Sequence, residues 1–367
     1  MPLSNSLSKH LSELTDPRIE KKCSHLLIDI VFIGICATIA GAEGWEEIEE
    51  FGKSKEKWLH QWLKLPSGIP SHDTIERVFM KLNASEFDRC FMAWTQDLVK
   101  ATDIQGEVVA LDGKALRGTN TKLYLVSAWA SAIGISLGQY KVDEKSNEIT
   151  AIPELLDALM LSGSIVTIDA MGCQTAIAQK IVAHDADYVL AVKGNQGTLL
   201  EYIESRFAFS DDPRFRQHEQ PLYYETVEQS HGRQEKRQCS VFTDPTIQNR
   251  GWEKAQTLIR VTSERTSKAK VENHTRYFIS TLPADPAYLL QCIRAHWQIE
   301  NSFHWVLDVV FKEDQHQTRH KQAAVNLSIL RRIALNLLKR HPGKGSLKRK
   351  RYRAALNEDF LLEILHS

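Results

Sequence analysis

The chain has 367 residues, of which 43% are hydrophobic and 25% charged. That is long enough for two or three domains around a large core, and the composition is that of an ordinary globular protein rather than a fibrous or disordered one. Its 46 basic and 46 acidic residues cancel, so net charge gives no hint of a nucleic-acid partner and only the distribution of charge can. Six scattered cysteines without a C-x-x-C pair argue against a zinc finger or a disulfide framework and suit a reducing, cytoplasmic setting. Met1 to Lys9 lacks the basic-then-apolar order of a signal peptide.

Residues 1–103 read as an all-helical domain. Leu26 to Ala42 is apolar nearly all round, short for a membrane span and interrupted by Asp29, so a buried core helix is expected. Trp45 to Phe51 and Lys55 to Leu63 are amphipathic. Ser71 has the character of an N-cap for a helix through Phe79, with Asp73 and Glu76 at its positive end. That helix reads either as a DNA-recognition helix presenting His72, Asp73, Glu76 and Arg77 or as a packing helix. Asn83 breaks the pattern, and another helix follows to about Ala101.

From Gly106 the pattern changes. Val108 to Leu111, Leu123 to Ala130 and Gly134 to Val142 read as strands, Ile152 to Leu161 as a helix, Ile165 to Ile168 as a strand, Thr175 to His184 as a helix and Tyr188 to Val192 as a strand. The order β-β-β-α-β-α-β is that of a ribonuclease H-like α/β domain: a mixed sheet with flanking helices, here placed at residues 104–338. A β-rich insertion is expected at about 215–282. Helix resumes from Ala287 to about Val310 and again from Ala323 to Lys339, and residues 339–367 read as a basic C-terminal tail.

Three acids stand out in this framework. Asp112 and Asp169 each close an apolar strand, and in open sheets ligands gather at the carboxyl ends of strands. Glu300 lies in the helical stretch His296 to Asn301. Three hard oxygen ligands suit Mg²⁺ or Mn²⁺ rather than zinc, and such sites run phosphoryl transfer on nucleic acid with two ions. The bland alternatives are a turn at Asp112-Gly113, a helix cap at Asp169 and a solvated glutamate at 300. On an unbroken helix His296, Glu300, His304 and Asp308 share one face, and Asp308 and Asp314 are rival acids for the third ligand. Lys114, Arg117, Lys193 and Asn195 follow the strand ends, where positive charge would hold a DNA phosphate. His231 and Arg233 would touch DNA from the insertion. Lys348, Arg349, Lys350 and Arg351 would do so from the tail, gripping backbone rather than reading bases.

The blocks Ile69-Pro70-Ser71-His72-Asp73-Thr74, Leu111-Asp112-Gly113-Lys114, Ile168 to Gln174, Lys193-Gly194-Asn195-Gln196, His231-Gly232-Arg233 and His296 to Asp314 occur in order along nearly the whole chain. In these blocks the chain resembles the H-repeat-associated proteins, a branch of the bacterial DDE-type insertion-sequence transposases. The resemblance implies Asp112, Asp169 and Glu300 as a metal-binding catalytic triad, with Mg²⁺ or Mn²⁺ as cofactor. It implies double-stranded DNA as partner, both terminal inverted repeats and target, and a dimer on DNA. The wider superfamily often places tyrosine and arginine ahead of the glutamate and lysine seven residues beyond it. Ile293, His296 and Leu307 stand there in this chain, and a protonated His296 would take over the phosphate contact. The alternatives are a catalytically decayed DNA-binding remnant and a plain nuclease on the same fold.

Overall fold

The structure, a computed structural model, describes the chain except for residues 1–4, 20, 22, 103, 118–122, 143–146, 216, 231–232, 268–269, 317 and 319. It divides into two units. One comprises Met1–Asp103, Gly113–Lys145 and Glu300–Ser367, and the other Ile104–Asp112 and Ser146–Ile299. In this division by compactness, Glu300–Ser367 groups with the helical leader.

In the first unit, helices α1 (Asn5–Leu11), α2 (Leu27–Ala40), α3 (Trp45–Ser54), α4 (Glu56–Leu59), α5 (His72–Lys81) and α6 (Ala84–Lys100) precede the hairpin of β2 (Leu123–Ala130) and β3 (Ile135–Val142). After Glu300 come α11 (Trp305–Val309), α12 (Lys321–Arg340), α13 (Leu347–Leu356) and α14 (Glu358–Leu365). The apolar α2 is buried over nearly its whole length and ends at Gly41, whose φ of 119° closes the last turn. Buried Asp29 accepts the Leu65 N–H at 3.0 Å, which offsets the cost of its burial. Ser71 caps α5 by accepting the Thr74 N–H, and Asn83 caps α6 through the Ser85 and Glu86 N–H groups.

Helix α12 explains the grouping. Every residue from Ala323 to Leu338 is buried, and the helix packs on α2, α5, α6 and β3. Its polar residues are bonded rather than solvated. Asn326 donates to the Phe79 and Leu82 carbonyls, and Asn336 brackets the Ser136 backbone, accepting its N–H and donating to its carbonyl. α5 buries Ile75, Val78 and Phe79, so it serves packing at least on that face.

The basic tail is also folded. α13 packs on α2 and α14. Lys350 is buried and donates to the carbonyls of Leu338 and His341. Arg351 donates to those of Val310 and Thr38 and lies over the Phe311 ring. The carbonyls freed at helix ends take up the cations, and only the outer face, with Lys348, Arg349 and Arg353, remains exposed.

In the second unit the strand order is β1-β4-β5-β9-β8-β7-β6. β1 (Val108–Leu116) enters it with the residues up to Asp112. It pairs parallel with β4 (Ile165–Ile168), which pairs parallel with β5 (Asp187–Val192). β6 (Leu222–Ser230), β7 (Arg233–Thr243), β8 (Thr257–Ser267) and β9 (Lys270–Ser280) form an antiparallel meander. The meander lies in the segment expected to be β-rich, and β9 pairs antiparallel with β5 and extends its sheet. Helices α7 (Glu148–Ala158), α8 (Thr175–Ala183), α9 (Gly197–Asp211) and α10 (Pro286–His296) complete the unit. Leu289, Leu290 and Ile293 of α10 join Val108, Ile165, Val189, Ile259 and Phe278 of the strands in one core. The expected β-β-β-α-β-α-β order is met by β1, β2, β3, α7, β4, α8 and β5, and the architecture is ribonuclease H-like.

Candidate active site

Asp112 and Asp169 are set side by side by strand register. Leu111 pairs with Ile168, and Ile168 with Leu190, so each aspartate is the next residue on one of two adjacent parallel strands. Such strands lie about 4.8 Å apart. β1 itself continues to Leu116, but its ladder with β4 ends at Leu111. The acids are half-buried at the carboxyl edge of the ladder.

Asp169 is oriented by the backbone. One carboxylate oxygen accepts the N–H of Met171 at 3.1 Å and of Gly172 at 3.5 Å, capping the one-turn 3-10 helix Ala170–Gly172. Gly172 is needed for close approach: a Cβ there would overlap Cγ2 of Ile168 and stand 3.0 Å from Cδ1 of Ile152 on α7. Asn195 braces the same turn by donating to the Ala170 carbonyl at 2.6 Å. It therefore acts on the loop that carries Asp169. Lys193, exposed just beyond β5, is on the same edge with its side chain in solvent.

Glu148, His296 and Cys173 all feel the charge of Asp169. Burial pushes the Glu148 carboxyl on α7 up, and the Asp169 charge adds to that. Sequence reading missed this acid, because no local pattern marks a first-turn glutamate whose neighbour is some twenty residues away. His296 shares a hydrogen bond of 3.0 Å between Nδ1 and the Thr167 hydroxyl. Burial lowers its pKa more than Asp169 raises it, which favours the neutral ring.

Glu300 opens the first unit's C-terminal portion. The expected continuous helix is instead α10, a π-helical turn over Ile299–His304, and α11. A π turn breaks the i, i+4 alignment and often marks functional sites. The Glu300 side chain is 53% exposed, and its carboxylate lies 4.0 Å from Nδ1 of buried His304. Trp297 and Trp305 are surface residues, and Arg276 stacks over Trp297.

Asp308, one of the rival acids, has another task. Together with Glu313 it engages Lys114, which is only 8% exposed. Lys114 lies 3.0 Å from Glu313 and 3.8 Å from Asp314, so its expected phosphate contact gives way to an internal ion network. Burial raises the Glu313 pKa, but the Arg332 and Lys114 charges outweigh it and hold the carboxyl at about 2. Arg117 is exposed and available to solvent, with its backbone N–H on Asp314 at 3.2 Å. His231 lies outside the described residues, as does the side chain of Arg233. A cleft of about 350 Å³ in the first unit is lined by Glu46, Glu47, His72, Glu76, Lys312 and His316 among others and contains none of Asp112, Asp169 and Glu300.

The donor set at the strand edge suits a hard divalent cation. Asp112 and Asp169 offer carboxylate oxygens, and no cysteine ligand competes among the described residues there except buried Cys173, whose thiol burial pushes up to about 12. No helix among the described residues is long and apolar enough by itself to cross a membrane.

Residues 8–95 match a family model described as DDE_Tnp_1-associated, and residues 105–337 match one described as transposase DDE domain. The protein named "Putative transposase YncI" of Escherichia coli O157:H7 is 40% identical over 99% of this chain and 95% of its own length. The "H repeat-associated putative transposase YhhI" of Escherichia coli K12 is 39% identical over 98% of this chain and 97% of its own. A solved piggyBac transposase synaptic complex with hairpin DNA aligns with 100% of this chain and 79% of that one, at 13% identity and a TM-score of 0.46, too slight a likeness to carry argument.

Proposed function

The chain belongs to the DDE transposase family, and from that premise we propose that it cuts phosphodiester bonds at the ends of a mobile element and joins those ends to target DNA. The observation that carries this reading is the placement of Asp112 and Asp169 on neighbouring strand ends by the Leu111–Ile168 pairing. Asp112, Asp169 and Glu300 would hold divalent cations, Mg²⁺ or Mn²⁺, which when bound supply Lewis acidity at the phosphoryl oxygens.

The protein's own residues do the rest. The Met171 and Gly172 N–H groups fix the Asp169 carboxylate, and Asn195 holds their turn in place. Exposed Lys193 attracts a phosphate to the edge. His296 shares a hydrogen bond with the Thr167 hydroxyl behind the edge. Water attacks the phosphodiester at the element's end and the DNA 3′-oxygen leaves as a hydroxyl. That hydroxyl then attacks a target phosphodiester, forming one bond as another breaks. No protein nucleophile is required. The substrate is double-stranded DNA, terminal repeats and target alike, and joining two ends calls for a dimer on DNA. Arg117, Lys348 and Arg349 are exposed cations that can meet its backbone.

The test is an oligonucleotide carrying the element's terminal repeat, incubated with Mg²⁺ and either the natural chain or Asp112→Asn. The variant is expected to bind with unchanged affinity and to lose nicking. Full cleavage by Asp112→Asn would sink the assignment.

A further inference from the structure

The ion network around Lys114 is larger than packing of a single lysine requires. The two oxygens of Glu313 are divided between Lys114 and Arg332, each at 3.0 Å. Arg332, fully buried on α12, also donates to the carbonyl and hydroxyl of Ser328 and reaches the Ser127 hydroxyl of β2 at 3.4 Å. The second carboxylate on Lys114 is Asp308 of α11, and Asp314 stands near as a third. The network therefore runs from α12 through Glu313 to the end of β1 and on to α11. A second grip lies one turn nearer Glu300: Phe303 stacks on Trp129 of β2 with centroids 5.2 Å apart, and Arg332 lies over Phe303 at 5.3 Å.

Both grips hold the same piece of chain, the helical run that starts at Glu300. Lys114 is two residues beyond Asp112 and is the only member of the network on β1 that offers a charge from a buried position. Its three N–H donors are spread toward three carboxylates. Such a cluster specifies one arrangement, because any shift of the helix along the strand would strand buried charges.

We propose that Lys114 is a positioning residue for the metal-binding acids, a role that rests on the transposase reading above: its ammonium, shared by Asp308 and Glu313, fixes the end of β1 that follows Asp112 against the helix that begins at Glu300. Lys114 touches no DNA in this role and acts through the acids it aligns. Residues that orient ligands from behind typically change metal affinity by about 10- to 100-fold when altered.

The test uses the full chain and Mn²⁺ as probe, titrated without DNA and followed by calorimetry or by the Mn²⁺ electron paramagnetic resonance signal. The double variant Lys114→Met with Asp308→Asn removes one cation and one anion and leaves Glu313 paired with Arg332, so charge balance is kept. It is expected to melt near the natural chain and bind the terminal-repeat oligonucleotide equally well, while Mn²⁺ affinity falls by about 10-fold or more. A purely structural lysine would lower melting and leave the affinity of the folded protein alone. Unchanged Mn²⁺ affinity in the folded double variant overturns the positioning role and leaves the transposase reading standing. If the natural chain takes up no Mn²⁺, the metal reading itself fails and this role falls with it. Should the double variant not fold, Lys114→Arg decides: it keeps the charge but moves it, so Mn²⁺ affinity falls by about 10-fold at unchanged melting, and an unchanged affinity overturns the role.

Discussion

Asp169 and Glu313 both stand at the start of a one-turn 3-10 helix, one in each unit, and the protein treats them in opposite ways. Asp169 is half-buried, held by two backbone N–H groups and by no ion pair among the described residues. Glu313 is 3% exposed and clasped by Lys114 and Arg332. Backbone donors orient a carboxylate but leave its charge largely uncompensated, ready for a cation. Two protein cations use that charge up. The contrast separates an acid kept for a ligand from an acid kept for the fold, and it can be attacked from either side.

The largest expected effect is on chemistry. Asp169→Asn keeps the cap, because asparagine is as good an N-cap as aspartate, so melting should move little. Mg²⁺-dependent cleavage should fall by about 100-fold or more, the size of losing one electrostatic stabiliser. A variant that cuts normally would place Asp169 with the structural acids.

Glu313→Gln should do the reverse. It strands Arg332 in the core, and breaking a buried pair costs about 3–5 kcal/mol, measurable by chemical denaturation. The pH dependence has a definite sign. The folded pKa is about 2 against an ordinary 4.5, so the unfolded chain takes up this proton first. The stabilisation is present above about pH 4.5 and is lost as pH falls toward 2. The natural chain should therefore lose stability through that window, and Glu313→Gln should show a flatter acid limb.

Gly172→Ala tests the support beneath Asp169. Its Cβ would press on the stiff, β-branched Ile168, and overpacking of this kind costs about 1–3 kcal/mol. Cleavage should drop further than the stability loss explains, because the turn that aims Asp169 has to move. Equal loss in both would mean that the turn only packs.

The smallest effect is on the C-terminal helix α13. Lys348→Gln with Arg349→Gln removes two exposed cations, and each phosphate that is no longer neutralised lowers the slope of log affinity against log salt by about 0.9. Melting should not change. Lys350→Met on the same helix should destabilise the fold and leave the slope alone, since Lys350 serves the carbonyls of Leu338 and His341. An unchanged slope in the double variant would remove α13 from the DNA surface.

Much of this was legible in the order of residues. The capped helices at Ser71 and Asn83, the apolar α2 and the strands around Asp112 and Asp169 all carry local signals, periodicity or a capping oxygen. The same holds for the blocks that match the family. Where reading failed, the deciding partner was distant in sequence. The helix from Ala287 was expected to run unbroken through Glu300, yet it contains a π turn that sends Glu300 to the surface and His304 inward. The run Lys348 to Arg351 looks like a uniform basic arm, yet Lys350 and Arg351 face helix carbonyls 12 and 313 residues away.

The sequence by itself determined which elements form, that two strands each deliver an aspartate to their carboxyl ends, and that the chain belongs to the DDE transposase family, because these rest on short-range pattern and on motif identity. Only the tertiary structure decided what each charge is for. A lysine in solvent and a lysine in an ion network are the same letter. Lys193 follows β5 and Lys114 lies near the end of β1, and one is exposed while the other is buried among carboxylates. The free energy of a charge depends on the solvent it loses and the partners it gains, and both are set by parts of the chain that meet only on folding.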